Sequence, residues 1–84
     1  MKLYHTTLKS NLESILKEGL KPSKLGIIYL SENPNSWWSG EEYITLEINM
    51  EGYKNKLTTF NMPDLDEILC WGSIEPSQIK VYYP

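Results

Sequence analysis

Arginine is absent from this 84-residue chain, whose basic charge rests on eight scattered lysines against eleven acidic residues, for a net charge of −3. Non-specific binding to duplex nucleic acid works by neutralising phosphates with a basic surface, so that class of function is disfavoured. A site for a nucleic-acid end or a single base stays open. One cysteine, Cys70, excludes an internal disulfide and fits a reduced, cytoplasmic compartment. One histidine and one cysteine without ligand-like spacing do not make a closed metal set, so no metal is expected. No apolar run reaches transmembrane length, and the opening MKLYHTT lacks the apolar core of a signal peptide. A soluble protein with no membrane association is therefore expected. An ordinary share of charged side chains, 23%, stands beside 40% apolar and 12% aromatic residues, a globular composition in which the large rings supply much of a small core.

The hydrophobic pattern divides the chain into short elements. Residues 2–5 (KLYH) form an extended run. Ser10 and Glu13 have capping-box spacing, with Thr7 as a rival cap. Leu12, Ile15, Leu16 and Leu20 then recur with helical period, while Gly19 and Pro22 end the helix. Residues 27–31 (IIYLS) read as a strand, and Ser31–Pro34 as a turn leading into a short helical turn through Trp37 and Trp38. From Glu41 to Met50 the residues alternate, with Ile44, Leu46, Ile48 and Met50 on one face and Tyr43, Thr45, Glu47 and Asn49 on the other. A short strand at 57–60, another at 67–71 ended or bulged by Gly72, and a last one at 78–83 complete the set. The expectation is a single α+β domain over residues 1–84, with one main helix and five or six mostly antiparallel strands.

Three polar residues sit where short strands would deliver them. His5 ends the first strand and suits hydrogen bonding or acid–base work. Tyr29 lies between Ile28 and Leu30, which face away from it, so its ring can lie against a ligand base. Glu67 opens a strand after Asp64 and Asp66, where a carboxylate at a cleft could stabilise positive charge developing on a sugar carbon. Taken singly, each has a plain structural reading: a strand-end histidine, a core tyrosine, a solvated acidic turn. Trp37 and Trp38 either stack on a base or partner, or divide between core and surface. Cys70, with no basic neighbour in sequence, reads as an inert packed thiol.

Together these segments resemble the ADP-ribosyltransferase superfamily, in particular its histidine–tyrosine–glutamate branch. LYHTTLKSNLESILKEGLKPS is similar to the family's opening strand, histidine and helix. GIIYLSENP resembles the second segment, a Tyr-Leu-Ser/Thr run entering an acidic-Pro turn. DEILCWGSIEPSQIKVYY resembles the closing segment. The resemblance implies a split β-sheet with its main helix after the first strand, and NAD as substrate. It implies that His5 bonds the adenosine-side ribose, that Thr6 contacts the nicotinamide amide through its backbone, and that Tyr29 stacks on nicotinamide. Ser31 belongs to the same cofactor-binding set. Glu67 is the implied catalytic residue, holding the nicotinamide ribose and steadying an oxocarbenium-like transition state, an effect typically worth ~3–4 kcal/mol.

Mono-ADP-ribosyl transfer from NAD to an unidentified protein or nucleic-acid acceptor follows as the implied activity, of a kind related to toxins or phage defence. The alternative is a non-catalytic protein on the same fold that holds or sequesters NAD, ADP-ribose or a related adenine nucleotide. A plain interaction domain docking through Trp37 and Trp38 is a third reading. Leu65 stands where arginine-modifying members carry Glu or Gln, which disfavours arginine as acceptor. The RNA 2′-phosphotransferase branch holds a phosphate with arginines, so a chain without arginine is not expected there.

Overall fold

Alternation along the 43–49 segment puts every second side chain on one face, and the fold is built on that strand. The computed structural model describes residues 1–34, 40–59 and 68–82. Within them β1 is Lys2–Leu8, α1 Leu12–Glu18, β2 Ile27–Leu30, β3 Tyr43–Asn49, β4 Leu57–Thr59, β5 Ile68–Trp71 and β6 Ile79–Val81. The strands form two three-stranded sheets, ordered β1-β3-β6 and β2-β5-β4, and all their pairings are antiparallel. The fold class is thus the α+β arrangement expected, with the helix after the first strand.

The first sheet buries Leu3, Leu46, Ile48 and Ile79, and the second Ile28, Leu30, Ile68 and Cys70. Ile15 and Leu20 from the helical region, Met50 and Ile74 join them in one core cluster. Burial of Leu46, Ile48 and Met50 bears out the predicted inward face. Cys70 is fully buried, and burial pushes its thiol up, away from the reactive thiolate. The sheets meet through a reciprocal pair of backbone bonds. Tyr4 N–H donates to the Ser31 carbonyl at 2.8 Å, and Ser31 N–H donates to the Tyr4 carbonyl at 2.9 Å.

Several boundaries differ from the sequence pattern. β1 runs to Leu8 because β3 pairs with it at every residue from Lys2↔Asn49 to Leu8↔Tyr43. A 3-10 turn at Lys9–Asn11 then replaces the expected capping box, and the Asn11 N-cap makes no side-chain capping bond. Leu16, placed by periodicity on the apolar face, is exposed, whereas Ile15 is buried. A seven-residue helix has room for only a narrow buried stripe. β6 begins at Ile79 because Pro76–Gln78 takes a 3-10 turn. The expected helical turn at Trp37–Trp38 lies outside the described residues.

Gly19 ends α1 as predicted. Its φ of 86° is in the range that favours glycine, and a Cβ there would run into the Ile74 carbonyl oxygen. The close approach serves a bridge in which Leu20 N–H and Ile74 N–H each donate to the other residue's carbonyl at 2.9 Å.

Candidate functional site

His5 shares its strand face with Leu3, pairs with Leu46 in the register, and is half-buried. Its Nδ1 lies 2.8 Å from the Tyr29 carbonyl oxygen. A carbonyl only accepts, so Nδ1 carries the proton, and the neutral ring keeps an acceptor lone pair at Nε2. Burial draws the His5 pKa below its ordinary value of 6.5, and the backbone bond to Tyr29 opposes the shift only in part. At neutral pH the ring is therefore an uncharged, oriented acceptor. It lines a cleft of about 360 Å³ shared with Thr7, Asn11, Ser14, Glu18 and Lys21. Ile15 and Leu20 complete the lining, so apolar surface stands beside hydroxyl, amide and charged groups that can fix a ligand's orientation.

Tyr29 does what strand alternation requires. Ile28 and Leu30 are buried, and the tyrosine between them is 46% exposed on the other face of the sheet. It is not a core tyrosine. Its backbone carbonyl holds His5 while its ring faces solvent, so one residue couples the two sheets.

Thr6 lies on the opposite face of β1 from His5 and takes part in a hydroxyl relay. Its Oγ1 is 3.0 Å from Thr45 Oγ1, and Thr45 Oγ1 donates to the Pro34 carbonyl at 3.1 Å. Thr45 spends its proton on Pro34, so Thr6 is the donor to Thr45. Ser31 is 2% exposed. Its Oγ donates to the Asn33 carbonyl at 2.9 Å and accepts from Asn33 N–H at 3.1 Å, which closes the turn after β2. Thr45 was missed as a site-shaping residue. Its strand was legible, but the register that sets it opposite Thr6 is a tertiary fact.

The structure therefore joins His5 to the Tyr29 backbone where β1 meets β2, whereas Thr6 turns to the other face of β1 toward Thr45 and the Ser31 hydroxyl is spent within its own turn. Glu67, Trp37 and Trp38 lie outside the described residues. Ile68, next in the chain after Glu67, pairs with Leu30, one residue from Tyr29. Among the described residues no group of three or more His, Cys, Asp or Glu side chains is placed to hold a metal ion. No helix among the described residues is long and apolar enough to cross a membrane. A larger open hollow of about 600 Å³ lies along β6, beside Leu16, Glu47 and Tyr82. It contains none of the predicted site residues. Glu47 there is paired with Lys80 at 2.9 Å and Lys2 at 3.7 Å, and the Lys80 contact holds its carboxyl below the usual range.

No family model matches the chain. Two curated proteins do. A probable RNA 2′-phosphotransferase of Pyrococcus horikoshii is 37% identical over 59 residues, which cover 64% of this chain and 33% of that protein. A probable RNA 2′-phosphotransferase of Pyrococcus abyssi is 52% identical over 31 residues, 37% of this chain and 17% of that protein. The match thus spans a third or less of the length of either relative. It corrects the branch read from the sequence. The likeness is to RNA 2′-phosphotransferases, the branch set aside for want of arginine, and not to a toxin-type histidine–tyrosine–glutamate branch. An argument from arginine count presumes correspondence over the whole length, and the match does not have it.

Proposed function

We propose that this domain holds NAD at the junction of β1 and β2 and transfers its ADP-ribosyl group to a phosphate-bearing RNA. The observation that carries the reading is the Nδ1–H bond from His5 to the Tyr29 carbonyl, which leaves a neutral acceptor nitrogen and an exposed aromatic ring on adjacent strands. In this reading Nε2 of His5 accepts from a ribose hydroxyl in the cleft beside α1. The Tyr29 ring stacks on nicotinamide, and the Thr6–Thr45–Pro34 relay and the Ser31 turn keep β1 and the chain after β2 in register.

The chemistry asked of the site is one displacement. A phosphate oxygen of the acceptor bonds to the ribosyl carbon that carries nicotinamide. The carbon–nitrogen bond breaks, and its electron pair stays on the departing, now neutral, nicotinamide ring. Positive charge builds on the ribosyl carbon in between, and Glu67 is assigned to stabilise it. Holding both reactants in line supplies the positioning share of the rate. The two relatives support an RNA phosphate as acceptor through their names.

One observation favours a second reading. With no arginine in the chain, the acceptor phosphate lacks the bidentate partner best suited to it. A protein that binds NAD or ADP-ribose without turnover follows from that. Incubation with adenylate-labelled NAD and an oligoribonucleotide bearing an internal 2′-phosphate separates the two. The transferase reading predicts nicotinamide release that needs the 2′-phosphate and disappears in Glu67→Ala. Tight NAD binding with no nicotinamide released, and no change in Glu67→Ala, would establish the binder instead.

A further inference from the structure

The second sheet has an outer face that the core does not use. Tyr29 pairs with Leu69 and Ile27 with Trp71, so these four side chains share the face opposite Ile28, Leu30, Ile68 and Cys70. Thr58 of β4 pairs with Leu69 and joins them. Leu69 is buried yet stands outside the core cluster, which makes it the floor of this face. Tyr29 is 46% exposed and Trp71 48% exposed, on diagonal positions of neighbouring strands. Rings so placed are within reach of one ligand.

Trp71 is exposed but not loose. Its indole Nε1 donates to Thr58 Oγ1 at 2.9 Å, which fixes the ring across the sheet while leaving much of it open. Cations border the same end of the sheet. Lys56 immediately precedes Leu57, which pairs with Cys70, and Lys24 lies in the turn before β2 whose Gly26 carbonyl accepts from Gly72 N–H. Both lysines are exposed. Lys56 seats its ammonium over the Tyr53 ring, 5.1 Å from the centroid, so Lys24 is the cation assigned to a phosphate here. An oriented indole with a lysine at the same end of the sheet suits a base and a flanking phosphate in a single strand, because stacking tolerates any base and a lysine answers the backbone charge.

We propose that Trp71, floored by Leu69 and braced by Thr58, is a stacking platform for a base of the single-stranded RNA acceptor, continuous with Tyr29. The inference rests on the transferase reading only for the identity of the RNA. One lysine sets a small electrostatic share, so affinity is to fall with salt at a log–log slope of about −0.7, at roughly 0.7 per phosphate neutralised.

The test measures binding of a labelled single-stranded hexa-adenylate and of a duplex of equal length by anisotropy, with NAD affinity measured separately on the same proteins. Trp71→Leu keeps apolar area but no aromatic face, and is to weaken the single strand about tenfold. Trp71→Phe keeps a face and is to retain binding within a few-fold. NAD affinity is to be unchanged in both, and the duplex is to bind weakly throughout. Equal binding of the single strand to wild type and Trp71→Leu, or equal binding of strand and duplex, overturns the platform even if NAD binds normally. Loss of strand binding in Trp71→Leu alone, in a protein that binds no NAD, leaves the platform standing and removes the NAD reading.

Discussion

His5 joins the hydrogen-bond geometry to a titration. Its folded-state pKa lies below 6.5, because burial disfavours the imidazolium more than the Tyr29 carbonyl favours it. As pH falls through 6.5 the unfolded chain takes up the proton first. Stability contributed by neutral His5 is then present above 6.5 and is lost between 6.5 and the lower folded value. Urea unfolding from pH 7.5 to 5 is expected to show that loss, and His5→Asn to flatten it. NAD affinity is expected to stay level down to the folded-state pKa and to fall below it, since a protonated Nε2 no longer accepts. A steeper loss of affinity above pH 7 would contradict this. Tyr29→Ala removes a ring that is half in solvent, so it is expected to leave thermal stability nearly unchanged while weakening NAD binding. The outward position of Tyr29 was legible from its apolar neighbours. The tautomer of His5 was not, because its partner lies 24 residues away in sequence.

At the scale of elements, the junctions carry more information than the strands. Gly19 ends α1 in a conformation costly to other residues and passes close to Ile74. Gly19→Ala is expected to cost at least ~1–3 kcal/mol from backbone conformation alone. In a domain of this size each 1 kcal/mol lowers Tm by roughly 4–8 °C. A scanning-calorimetry Tm within 2–3 °C of wild type, on the same ~4–8 °C per kcal/mol scale, would refute that role. Thr45→Val cuts the relay from Thr6 to the Pro34 carbonyl. An ordinary net cost of ~0.5–1.5 kcal/mol is expected, readable as a lower urea midpoint with unchanged slope. The sequence pattern found the helix, its glycine stop and the alternating strand, since all three are local signals. It missed the length of β1, the 3-10 turn before α1 and the exposure of Leu16. Those depend on the seven-residue pairing with β3 and on what the helix packs against. Trp71 was legible only as a strand end, because its place beside Tyr29 comes from the β2–β5 register.

For the whole molecule, the margin is thin and the core is shared. Net stability at this length is roughly 4–13 kcal/mol by the usual per-residue range. Leu46 is fully buried, on a strand paired on both sides. Leu46→Ala is expected to cost ~2–5 kcal/mol, a large part of that total. The candidate site sits where the two sheets meet through Tyr4 and Ser31, so its geometry depends on both halves of the core. That arrangement explains why His5 and Tyr29, unremarkable when read singly, are informative as a pair. The measurement that bears most directly on it is the calorimetric affinity of NAD for the wild-type protein, His5→Ala and Tyr29→Ala, with Tm recorded for each. The account predicts saturable binding to wild type and at least tenfold weaker binding to both variants, with the Tyr29→Ala Tm within a few degrees of wild type. No binding of NAD to the folded wild-type protein, or equal affinity in all three, would contradict it.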